Sequence, residues 1–197
     1  MLGELAQLYS AVFAPELFML LCGIVVIGYE WRILHRSFSS RIVGRFGVLV
    51  LGWAIAFFTL RGLPRLVPTL GTISTDVLGS IGLAVGMSVI WLVWRWRAWG
   101  PFVPQFSAIL VGITVIHFLI TLRWAISSHV IYTLTPAGYL SFVDRRFLPV
   151  LVVPIGMVVS RSLAGAHTWA QSIAGFLLAS VVVLAMTYRW RAMDSDG

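Results

Sequence analysis

The sequence contains no lysine; all fourteen of its basic residues are arginine. A Schiff base needs a lysine amine, so a retinal pigment held in that way is excluded. Charge of either sign is scarce: 11% of the residues are charged, against about 25% in an ordinary soluble domain. Cysteine is nearly absent. Cys22 stands alone in an apolar run, which rules out an internal disulfide and leaves it a packing role. Carboxylates are not clustered, and His and Cys are not closely spaced, so no metal ion or other cofactor is expected. No basic segment interleaved with aromatics is large enough to bind nucleic acid. The first ten residues, MLGELAQLYS, carry no positive charge ahead of the apolar run and are not expected to act as a secretory signal.

What the sequence does have is hydrocarbon: 59% of its residues are hydrophobic. This composition predicts an integral membrane protein. One membrane domain over 1–197, with its core at 46–191, accounts for the whole length. Seven apolar runs fall near 13–30, 46–61, 76–94, 104–122, 127–143, 146–161 and 168–188. Each should be a helix, because lipid offers no partners for open backbone groups. The expectation is an all-α polytopic bundle of about seven transmembrane helices. The fifth run is short and holds Pro136 and Gly138, and the sixth contains Pro149 and Pro154. The arginines orient the bundle. Arg32, Arg36, Arg41 and Arg45 follow the first run, Arg95 and Arg97 the third, Arg145 and Arg146 the fifth, and Arg189 and Arg191 the seventh. Placing these on the cytoplasmic side puts the N-terminus outside and the C-terminus inside a cell membrane. Only Arg61, Arg65, Arg123 and Arg161 then lie outside. Trp31, Trp94, Trp96, Trp99, Trp124, Trp169 and Trp190 flank the runs, as interfacial tryptophans do.

The outer boundary then collects polar chemistry. Arg123 ends the fourth run, Ser127, Ser128 and His129 open the fifth, Ser160 and Arg161 end the sixth, and His167 precedes the seventh. Cations beside membrane helices mark sites or reach to the interface. Two guanidinium forks suit phosphate oxygens, serine hydroxyls add donors, and two imidazoles can serve as nucleophile and acid. His117, inside the fourth run, reads as an interhelical hydrogen-bond partner, and His35 as part of the basic cytoplasmic segment.

The stretch SRSLAGAHTWAQSIAGFLL, 160–178, resembles the third motif of the type 2 phosphatidic acid phosphatase and vanadium haloperoxidase superfamily, S-R-x5-H-x3-D. Ser160, Arg161 and His167 match it, and Gln171 takes the aspartate position. ISSH, ending in His129, is similar to the second motif, P-S-G-H, without its proline and glycine. Arg123 stands at the arginine of the first motif, K-x6-R-P, with Ile116 and Trp124 at its lysine and proline. The resemblance implies a six-helix phosphatase-like core preceded by one added helix. It also implies a membrane-embedded lipid or isoprenoid phosphate phosphatase working at the outer face through a phosphohistidine. In that reading His167 is the nucleophile and His129 the acid, and Gln171 holds the His167 ring. Arg123, Arg161 and the serines Ser127, Ser128 and Ser160 grip the phosphate. The substrate partner is a membrane lipid or lipid phosphate. A second alignment uses Arg65 for the first motif and Asp76 in place of the second histidine. Two other functions stay open: a weakened or inactive relative with a binding or structural role, and a small transporter or complex subunit.

Overall fold

The computed structural model describes residues 1–34 and 40–195. Among them every element is a helix and there is no strand. The elements are α1 (Leu2–Val12), α2 (Pro15–Ile33), α3 (Ser40–Phe57), a π-helical turn (Phe58–Gly62), α4 (Leu63–Leu66), a 3-10 turn (Pro68–Thr72), α5 (Thr75–Trp96) and α6 (Phe102–Thr121). After these come α7 (Ser128–Val143), a 3-10 segment (Arg145–Leu151), α8 (Val152–Leu163) and α9 (Trp169–Ser195). Five helices among the described residues are long and apolar enough to cross a membrane, or six if the bent pair α1–α2 counts as one span. This is compatible with a multi-pass membrane protein, and it does not confirm the expected count of seven. The fifth run forms α7, sixteen residues long, or about 24 Å at 1.5 Å per residue. That is below the roughly 30 Å of a hydrocarbon core. The first run begins earlier than expected, with α1, and bends by 41° before α2. Pro15 opens α2, and a proline biases the residue before it away from helical geometry.

The chain divides into two compact units, Gly23–Arg123 and the combination of Met1–Cys22 with the chain from Trp124 onward. In the first, α3 and α5 meet through glycine. A Cβ on Gly82 would stand 2.8 Å from the Ala56 carbonyl oxygen, and one on Gly52 would stand 2.8 Å from that of Gly86. Small residues let membrane helices approach this closely. His117 of α6 sits 3.5 Å from Ser80 Oγ of α5 and 3.2 Å from Thr121 Oγ1.

One end of this unit departs from the sequence reading. Arg45 is not a loop charge. It lies in the second turn of α3, fully buried. Its guanidinium reaches the Glu30 carboxylate at 3.3 Å and donates to the Trp99 carbonyl at 2.6 Å. The rings of Trp31, Trp94 and Trp99 lie 5.0, 5.3 and 5.4 Å from its Cζ. Glu30 also accepts from Trp94 Nε1 at 2.8 Å and from the backbone N–H groups of Phe102 and Val103. Those two are the first free donors of α6, and Pro104 after them has none. A carboxylate from α2 thus caps α6. Gly100, at φ +151°, is required there because a Cβ would collide with the Glu30 carboxylate. His35 and Arg36 lie outside the described residues.

In the other unit α7 and α9 run parallel. Ser127 N–H donates to the Gln171 carbonyl, Gly138 faces Val183, and the Tyr139 and Trp190 rings meet edge-on at 6.3 Å. The buried stripe of α9 is Ser172, Gly175, Ala179, Val183 and Thr187. Its spacing of three and four keeps one helix face toward α7. α8 returns antiparallel to both. α1 lies along α8, with Tyr9 Oη donating to the Val153 carbonyl at 3.0 Å.

Candidate functional site

The parallel pairing of α7 and α9 brings their two N-termini together beside the C-terminus of α8. Each helix N-terminus carries about half a positive charge and unpaired N–H groups. The turn between α8 and α9 is fixed locally at both ends. Gly165, at φ +68°, occupies the left-handed position that closes a helix. Ala166 N–H donates to the Arg161 carbonyl and Gly165 N–H to the Ser162 carbonyl, which completes a Schellman motif. Three residues on, Thr168 Oγ1 accepts from Gln171 N–H at 3.2 Å, while Gln171 Oε1 accepts from Thr168 N–H at 2.9 Å. This is a capping box. Ser162 Oγ, 3.2 Å from Ser172 Oγ, ties the two helices side by side. Arg161 and His167 are therefore held at the two ends of a rigid turn, and His167 N–H itself donates to the Arg161 carbonyl at 3.3 Å.

Across from this turn, His129 lies in the first turn of α7. Arg161 and His167 lie near enough for their charges to act on it. Ser127, the residue capping α7, is fully buried, and its Oγ has no hydrogen-bond partner among the described residues; the Nδ1 of His129 is likewise buried and unpartnered. Buried polar atoms are nearly always paired. Two such atoms beside two helix N-termini and an arginine make this end of the unit the candidate site for an anionic, hydrogen-bonding ligand.

The structure brings together Ser127, His129, Arg161 and His167, with half-buried Ser128 at the start of α7. Two of the expected residues are engaged elsewhere. Ser160 Oγ is buried against α1, 3.1 Å from Ser10 Oγ, and donates to the Met157 carbonyl. Gln171 gives its carboxamide oxygen to the cap. Arg123 is exposed at the end of the other unit, to which Arg65 and Asp76, both exposed, also belong. Sequence reasoning missed Thr168 and Gly165. Their signal was present in T-x-x-Q and in a glycine three residues before the cap. Among the described residues no three of His, Cys, Asp and Glu are grouped to hold a metal ion.

Removing the cap tests how far the turn depends on it. Thr168→Ala should lower stability by about 1 kcal/mol, whereas Gln171→Glu, which keeps the box, should change it by less than about 0.5 kcal/mol. Thermal unfolding in detergent reads both.

No family model matches this chain, and comparison with curated proteins and with solved structures returns no match.

Proposed function

We propose that this pocket binds the phosphate group of a lipid or isoprenoid phosphate ester at the outer face of the membrane and hydrolyses it. The observation that carries the reading is the convergence of the α7 and α9 N-termini on two imidazoles and one guanidinium, with the Ser127 hydroxyl buried and unpartnered beside them. First-turn N–H groups and Arg161 neutralise phosphate oxygens, and their effect grows as charge spreads over the transferring group. A ring nitrogen of His167 attacks phosphorus. The bond from phosphorus to the ester oxygen breaks, and His129 gives that oxygen a proton, releasing the alcohol. Water then attacks the phosphohistidine, His129 takes its proton, and inorganic phosphate leaves. The resemblance of 160–178 to the phosphatidic acid phosphatase motif supports the same assignment.

A second reading, binding without turnover, is favoured by Gln171. The side chain at the motif's aspartate position caps α9 and carries no charge to stabilise an imidazolium.

Release of inorganic phosphate from a diacylglycerol phosphate and from a polyprenyl phosphate, by purified protein in micelles, tests the proposal. Turnover lowered about 10²–10³-fold by Arg161→Ala supports hydrolysis. Binding of the ester that free phosphate competes away, with no release, leaves the second reading. A protein that neither binds nor cleaves either ester sinks both.

A further inference from the structure

The same three helices carry a second feature at their opposite end. A cavity of about 340 Å³ lies between α7, α8 and α9, lined by Leu134, Gly138, Phe176, Val183 and, toward the end, Ser141 and Thr187. Its size is at the lower end of small-molecule pockets, about 300–1,000 Å³. Its hydroxyl protons are already engaged with the helix backbone. Ser141 donates to the Ala137 carbonyl at 2.8 Å, Ser180 to the Phe176 carbonyl at 2.8 Å, and Thr187 to the Val183 carbonyl at 2.6 Å. What the cavity offers is hydrocarbon. It opens sideways past Ile155 and Leu184, which are 55% and 67% exposed. In a membrane helix such residues face lipid.

Charge gathers where the groove ends. Arg145 and Arg146 follow the last turn of α7, and Arg189 stands two residues beyond Thr187, about 3 Å along the α9 axis; all three are exposed. The carboxylate among them is Asp144, which accepts from Arg146 N–H at 2.9 Å and lies 4.0 Å from its Nε. Three guanidiniums against one carboxylate leave the rim positive. Trp190, packed on Tyr139, stands at the same level, as tryptophans do at the headgroup boundary.

An apolar slot opening to lipid under a basic rim fits one class of ligand. We propose that it holds an acyl chain of an anionic phospholipid, with Arg145, Arg146 and Arg189 taking the headgroup. The site is separate from the histidine pocket and does not depend on its chemistry. An acyl chain fills the groove with no polar group to satisfy, and each arginine near an anionic headgroup favours it about fivefold over a zwitterionic one.

The test uses the full chain in nanodiscs of equal parts phosphatidylglycerol and phosphatidylcholine, with retained lipid counted by native mass spectrometry after release. Phosphatidylglycerol should be enriched about fivefold or more. Ile155→Trp, which fills the groove mouth, should abolish retention. Leu177→Trp, an equally exposed α9 position outside the groove, should leave it intact. Arg145→Gln, Arg146→Gln and Arg189→Gln together should erase the enrichment while some lipid stays bound. Equal retention of both lipids, enrichment that survives the triple variant, or a dimer that Ile155→Trp dissociates overturns the proposal. Should Ile155→Trp fail to fold, the triple variant, altered only at exposed residues, decides alone.

Discussion

Arg45→Met should unfold the protein roughly 6–20 °C below the wild type. The reasoning starts from burial. Arg45 and Glu30 are both fully buried, and removing one partner of a buried ion pair costs about 3–5 kcal/mol because the other charge is left uncompensated. At 2–4 °C per kcal/mol for about 150–250 residues, that becomes the stated shift. The loss is larger than for a simple pair, since the guanidinium also holds the Trp99 carbonyl and lies against three tryptophan rings, each contact worth about 0.5–2 kcal/mol when desolvated. Glu30 keeps Trp94, Phe102 and Val103 as donors, so the carboxylate is still partly satisfied, which bounds the effect from above. Combining Glu30→Gln with Arg45→Met should cost less than the sum of the two single changes, by about 0.5–3 kcal/mol of coupling. A single Arg45→Met whose midpoint moves by less than about 2 °C would show that the pair merely fills space.

This pair also shows where the sequence stopped being informative. Six of the expected runs reappear as helical segments within three residues of both ends, because an apolar stretch of about 20 residues has few alternatives in lipid. The pairing of Glu30 with Arg45 has no such signature. The two are fifteen residues apart across a helix break, and an arginine just before an apolar run reads the same whether it faces water or a tryptophan cage. The helix α1 was missed because Glu4, Gln7 and Ser10 break up its apolar residues, so that the first run starts only at Phe13. At the candidate site the grouping of residues was legible and their supports less so. Arg161, His129 and His167 do share one end of one unit, since parallel α7 and α9 follow from the α8 return between them. Gln171 was read for what the resemblance asks of it, while the three-residue spacing to Thr168 already described a capping box. Ser160 illustrates the complementary limit: its partner, Ser10, is 150 residues away, and no local pattern announces it.

The two histidines should separate on the leaving group. If His167 is the nucleophile, His167→Ala removes the bond-forming atom, and release of phosphate from any ester should fall to the uncatalysed level. If His129 is the acid, His129→Ala should lose about 10²–10⁴-fold on an alkyl ester, whose departing oxygen needs the proton. An aryl phosphate such as p-nitrophenyl phosphate leaves without one, so the first step, read as a burst of p-nitrophenol, should recover most of that loss for His129→Ala and none of it for His167→Ala. With His129 also absent as base in the second step, an acid-labile phosphoprotein should accumulate on the aryl ester, detectable by intact mass. Arg161→Lys should fall between wild type and Arg161→Ala, because the ammonium keeps the charge and loses the two-pronged grip. The pattern matters more than any one value. Binding alone predicts no phosphoprotein in any variant, and a pocket whose imidazoles only satisfy each other predicts equal losses on both esters. The buried, unpartnered Nδ1 of His129 and Oγ of Ser127 are why the unequal pattern is the expected one: such atoms are costly to leave unmet, and a phosphoryl oxygen with its departing partner would meet both.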